Sequence, residues 1–211
     1  IIRSPDSTSY GDNLAGQIIR GGEYLIRDDQ LGPNLKKTKE AILEFCRFYV
    51  KTFFDRLKLH GYGLDFKGDI NIDSMWIVHQ LGGDWNPLHS HRSKSPAGLS
   101  GVLYLKKPRP TVGEEVFFGP KQKGKASGGK LQLPFGTNVL ANFDTFTFPE
   151  LLTIDPTPGR IVVFPKRQAH QVPSFSEDGE RICIAFNADI WYKQKGITAW
   201  ADLMIDKNIK Q

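Results

Sequence analysis

The chain has 211 residues, of which 39% are hydrophobic and 24% charged, with a net charge of +5. That length suits one domain with a sizeable core. The mild positive charge favours an anionic small molecule but falls well short of a nucleic-acid footprint, and no apolar run approaches the ~20 residues of a membrane helix.

Residues 1–32 carry turn signals at Ser4-Pro5, Tyr10-Gly11 and Gly21-Gly22, and no regular element is assigned to them. From about Asn34 to Lys58 the spacing predicts a helix. Ala41, Ile42, Phe45, Phe48, Tyr49, Phe53 and Leu57 recur at three- and four-residue steps, so this aromatic stripe is expected to be core, packed on a sheet. Pro33 and Asn34 suit its start, and Gly61-Tyr62-Gly63 its end. His60, at that end, reads as a solvated residue favoured by the helix dipole.

From residue 69 the pattern changes to short strands. Met75–His79, Leu99–Leu105, Val116–Phe118, Asn138–Phe148, Arg160–Phe164 and Arg181–Tyr192 are apolar or alternating runs broken by turns. Such a series implies a β-sandwich or barrel rather than βαβ units. The chain is therefore expected to be mainly β, one jelly-roll domain with a flanking N-terminal helix. Residues 1–68 form the helical support, 69–192 the core, and 193–211 a tail with a short closing helix over 198–209. Lys121–Lys130 is basic and glycine-containing but lacks the setting of a phosphate loop, and reads as a solvated loop.

Cys46 and Cys183 make no disulfide framework. They read as small buried side chains in a reducing compartment, and the expected location is the cytoplasm. No signal peptide is recognised, although the opening on Ile1 implies a segment lost upstream.

The chemistry concentrates in three histidines and one arginine. His89 and His91 flank Ser90, so on an extended strand both imidazoles point to one side. Neutral imidazole is the commonest ligand for a first-row transition metal. His170 follows the buried run Ile161–Phe164 and its stop at Pro165, at a rim where sites tend to sit. In Arg181–Asn187, alternation sets Ile182, Ile184 and Phe186 on one face and Arg181, Cys183, Ala185 and Asn187 on the other. The second face has the composition of a cavity wall, with a guanidinium able to fork onto a carboxylate; a surface arginine on an edge strand fits this segment equally. Tyr104 shares a strand face with Ser100 and Val102. Its hydroxyl either joins Arg181 on that carboxylate or belongs to an ordinary core aromatic.

Met75–His79, Trp85–His91, Leu99–Leu105, Gly159–Pro165, His170 and Arg181–Asn187 together resemble the 2-oxoglutarate- and Fe(II)-dependent oxygenase family, over roughly residues 70–190. The resemblance implies a double-stranded β-helix with Fe(II) at its mouth, 2-oxoglutarate as co-substrate and dioxygen as oxidant. It makes His89 and His170 metal ligands and sets Arg181, helped by Tyr104, on the distal carboxylate of 2-oxoglutarate. The usual motif of the broader superfamily is His-x-Asp/Glu, and here His91 stands where the carboxylate would. Three histidine ligands are expected; in the alternative, His91 lies behind the ligands and water completes the sphere. His79 either lines the 2-oxoglutarate pocket or is a hydrogen-bonded core histidine. The expected function is oxidation, with hydroxylation the leading outcome, of a small-molecule or peptide substrate that the sequence does not name. Two rivals share the same histidines: a zinc hydro-lyase or hydrolase, and a non-catalytic jelly-roll binding module.

Overall fold

The structure, a computed structural model, describes residues 16–61, 65–92, 95, 97–108, 128–135, 150–175 and 179–192. The helix α1 spans Pro33–Leu59. Among the described residues nine strands accompany it: β1 (Gly22–Leu25), β2 (Gly68–Leu81), β3 (Asn86–His89), β4 (Ala97–Lys106), β5 (Leu131–Phe135), β6 (Glu150–Ile154), β7 (Ile161–Pro165), β8 (His170–Val172) and β9 (Glu180–Tyr192). They form a five-stranded sheet in the order β1-β2-β9-β4-β7 and a four-stranded sheet in the order β3-β8-β5-β6. Every strand pairing is antiparallel. Two antiparallel sheets enclosing one core are the jelly-roll architecture the strand pattern calls for.

Alternation along β2 and β9 divides the core into two layers. Met75, Ile77, Ile184 and Phe186 turn outward and meet Ile42, Cys46 and Val50 of α1. Trp76, Val78, Val102, Tyr104 and Cys183 turn inward, between the sheets, against Leu131, Leu133, Phe164 and Val172. Both cysteines are buried and free.

The helix begins with Pro33 in its first turn, where the missing N–H is harmless. It stops at His60, whose N–H reaches the carbonyls of Arg56 and Leu57, followed by Gly61 at φ +83°. Its buried stripe differs from the one expected. Ile42, Cys46 and Val50, at four-residue steps, face the sheet, while Phe45, Phe48 and Phe53 are 49%, 68% and 50% exposed. Apolar residues occupy two adjacent faces of α1, and spacing alone does not choose between them. The face with the smaller side chains, Cys46 and Val50, is the one that packs on the strands.

The N-terminal region also holds an element that its turn signals conceal. β1 pairs with β2 from Gly22↔His79 to Leu25↔Trp76 and forms an edge of the larger sheet. Asp84, just past β2, ties the approach to β1 in place. Its carboxylate accepts backbone N–H bonds from Ile19, Arg20, Gly21 and Leu81 at 2.8–2.9 Å. Burial works to raise its pKa, but these four donors outweigh it and hold the carboxyl below its ordinary value. Asp84→Ala should therefore cost about 3 kcal/mol of stability, measured by denaturant melts, because buried donors lose a charged acceptor. A group depressed in the folded state stabilises above its unfolded pKa, ~3.9 for Asp, and loses that contribution as pH falls through the folded value. Asp84→Asn should accordingly flatten the acid limb of the stability profile.

The expected strands at Val116–Phe118 and Asn138–Phe148, the tail helix over 198–209 and most of the Lys121–Lys130 loop lie outside the described residues. None of the described helices is long and apolar enough to cross a membrane.

Candidate metal centre

His89 closes β3, and its direct cross-strand partner is His170, which opens β8. Opposed residues of an antiparallel pair point to one side, so strand pairing alone brings the rings to a centroid separation of 4.2 Å. His91 lies past the end of β3, not on it. Its position is set by the other sheet: its backbone N–H donates to the carbonyl of Lys166, directly after β7, at 2.8 Å. Its ring centroid lies 5.1 Å from that of His89 and 5.0 Å from that of His170. One ring nitrogen from each histidine falls within 4.8 Å of the other two, and among the described residues no carboxylate joins the cluster.

The outer nitrogens decide which inner ones are available. Nδ1 of His89 lies 2.7 Å from the Pro87 carbonyl oxygen, and Nδ1 of His170 lies 3.0 Å from that of Gln168. A carbonyl only accepts, so each Nδ1 holds the proton and each Nε2 is left with a lone pair. Nε2 of His91 faces Nε2 of His170 at 3.3 Å. Burial above all, then the neighbouring charges of His170, His89 and Lys166, holds His91 down at about 3. Burial and His89 hold His170 down at about 4, against the opposing pull of its Gln168 bond. Both rings are thus neutral at physiological pH, the state that ligates a metal.

The Lys166 carbonyl that carries His91 is itself braced. Lys166 is 2% exposed and its Nζ lies 2.6 Å from Oδ1 of buried Asp189. Neither residue was flagged by the sequence, because lysine after a strand normally reads as surface.

A cleft is lined by the three histidines, Arg181 and apolar walls that include Trp76, Val102 and Phe164. Arg181 is 2% exposed. Its Nη1 donates to Oε1 of Gln80 at 2.7 Å and to Sγ of Cys183 at 3.3 Å, while its Nε has no partner among the described residues. The guanidinium carbon lies 5.3 Å from the ring centroid of Tyr104. Tyr104 is fully buried, and among the described residues its hydroxyl has no partner that meets hydrogen-bond geometry. Burial pushes that phenol up to about 12 despite the opposing Arg181 charge, so it stays protonated. Two adjacent buried donors without an acceptor call for a carboxylate.

Residues 74–187 match the model of a protein family described as "Putative 2OG-Fe(II) oxygenase". The chain belongs to this family. The family implies Fe(II), 2-oxoglutarate and dioxygen, and both orphaned donors and the neutral imidazoles fit those groups. Among solved structures, the non-haem α-ketoglutarate-dependent epimerase SnoN from nogalamycin biosynthesis is similar at a TM-score of 0.51 and 14% identity, over 91% of this chain and 70% of that one. A Pseudomonas putida prolyl-4-hydroxylase is similar at 0.43 and 18% identity, over 83% and 71%. An oxidoreductase of the 2OG-Fe(II) oxygenase family from Burkholderia pseudomallei is similar at 0.40 and 15% identity; the oxygenase described here spans about half of that chain (48%). No curated protein matches the sequence.

His79 is not part of the oxygenase's cleft. It follows Val78 on β2 and so faces away from the interior, with Nε2 3.5 Å from Oε2 of Glu180. The inward neighbour is Gln80, fully buried, which accepts from Arg181 and donates from Nε2 to Oδ1 of Asn86 at 2.8 Å. Strand alternation from Trp76 and Val78 points to Gln80, so that signal was available and His79 diverted it. Asn86 and Glu23 also line the cleft. Asn86 lies within the Trp85–His91 motif, but nothing in the sequence marks Glu23, since β1 itself carries no strand signature.

Proposed function

We propose that this oxygenase oxidises a C–H bond of a small-molecule or peptide substrate, with hydroxylation the leading outcome. In the reaction 2-oxoglutarate loses carbon dioxide and becomes succinate; one atom of dioxygen goes to succinate and the other to the substrate. The pair of buried, unpartnered donors on Arg181 and Tyr104, in or beside the cleft that the three histidines line, carries this reading. A zinc hydro-lyase has no use for them.

In this reading His89, His91 and His170 hold the metal and Arg181 takes the distal carboxylate of 2-oxoglutarate with Tyr104. When bound, Fe(II) and 2-oxoglutarate supply the activation of dioxygen. The chain's own residues do the rest. The Pro87 and Gln168 carbonyls keep the Nδ1 protons in place, so His89 and His170 present Nε2 inward. Gln80 fixes the guanidinium through Nη1 and leaves its Nε edge for the carboxylate. Trp76, Val102 and Phe164 exclude water from the reacting centre.

Anaerobic addition of Fe(II) and then 2-oxoglutarate should produce a weak visible charge-transfer band. Admitting air should convert the co-substrate to succinate and carbon dioxide in equal amounts. Protein that binds iron but shows neither band nor succinate would overturn the reading.

A further inference from the structure

Glu23 lies on β1 opposite Val78 and lines the same cleft as the histidines and Arg181. It is 3% exposed, and its Oε2 has no hydrogen-bond partner among the described residues. The chain closes tightly over it: a Cβ added at Gly16 would lie 2.9 Å from both Glu23 Oε2 and Asn86 Nδ2. Elsewhere this chain supplies its buried acids with partners. Asp84 has four backbone donors and Asp189 has Lys166. A carboxylate buried without a donor destabilises the fold, so Glu23 is not explained by packing.

Nor do the metal or the co-substrate explain it. Glu23 is outside the cluster of ligating nitrogens. 2-Oxoglutarate is a dianion, which a carboxylate repels and which Arg181 and Tyr104 already suit. What Oε2 of Glu23 lacks, among the described residues, is a donor.

We propose that Glu23 is a specificity-determining residue that anchors the primary substrate, and that the substrate offers Oε2 an N–H donor, an ammonium or an amide, near the carbon to be oxidised. The proposal rests on the oxygenase reading of the cleft. Burial pushes the carboxyl up to about 7; an arriving donor replaces the solvation it lost. The apolar walls make that hydrogen bond count for more than it would in water.

The test uses Zn(II)-loaded protein, redox-silent, with and without 2-oxoglutarate. Ligand-observed NMR titrations with n-butylammonium, butanamide and butyrate serve as the probes. Wild type should bind the ammonium or the amide about tenfold more tightly than butyrate, and Glu23→Gln should remove about tenfold from the ammonium affinity. The preferred probe then identifies the donor. Glu23→Gln and Glu23→Met should both melt higher than wild type, since the unpartnered acid is gone. Equal ammonium affinity in wild type and Glu23→Gln, no preference over butyrate in wild type, or lower melting of both variants would each overturn the proposal. Binding of 2-oxoglutarate to the same proteins is measured alongside. Its failure in wild type would sink the oxygenase reading, whereas its persistence without a donor preference would sink only the role of Glu23.

Discussion

His91→Ala should lose Fe(II) as completely as His89→Ala does, by at least about a hundredfold in affinity, because even residues that merely orient a ligand cost ten- to a hundredfold. The expectation comes from where His91 sits. Its ring is as close to His170 as it is to His89, and its Nε2 meets that of His170 at 3.3 Å. A residue lying behind the ligands would not put that nitrogen there. Competition titration with a metal indicator under argon gives the affinities directly. A loss of less than about a hundredfold in His91→Ala would place this imidazole behind the ligands. His91→Asp should retain iron, since a carboxylate there completes the two-histidine, one-carboxylate set common for Fe(II). A metal-free His91→Asp protein would count against the geometry.

Arg181→Met should weaken 2-oxoglutarate binding by about 3 kcal/mol, on the order of a hundredfold, the usual cost of removing one partner of a buried charge pair. Arg181→Lys should recover little of it, because an ammonium cannot reproduce the fork that reaches Gln80 and a carboxylate together. Tyr104→Phe removes a neutral donor and should cost only about tenfold. The order of the three matters more than any one value. If Tyr104→Phe equals Arg181→Met, the hydroxyl and not the guanidinium is the anchor. Calorimetry on the Zn(II) protein measures each binding constant without turnover.

The site was readable in the sequence where regular strand geometry carries it. The spacing of Arg181, Cys183, Ala185 and Asn187 puts them on one face of β9, and the first three line the cleft while Asn187 does not. His89 and His91 were paired by the same rule, and they do converge, although by a different route. β3 ends at His89, and a hydrogen bond from the opposite sheet turns His91 inward; period-two alternation has no term for such a contact. His79 shows the cost of weighing residue type above register: an imidazole attracted the assignment that alternation gives to Gln80. The helix was legible as a helix, but two apolar faces competed and the aromatic one stayed outside. β1 was invisible because Gly22–Leu25 is held by pairing with β2 and by Asp84, not by any propensity of its own. Glu23 went unseen with it.

His89 and His170 belong to the smaller sheet, while His91 hangs from the Lys166 carbonyl, one residue past β7 of the larger one. A metal held by all three is therefore a rivet through the two layers of the sandwich. Iron retention and the cohesion of the barrel become one property: substitutions that let the layers slide apart, however distant from the imidazoles, loosen the metal, and loading the metal clamps the layers in return.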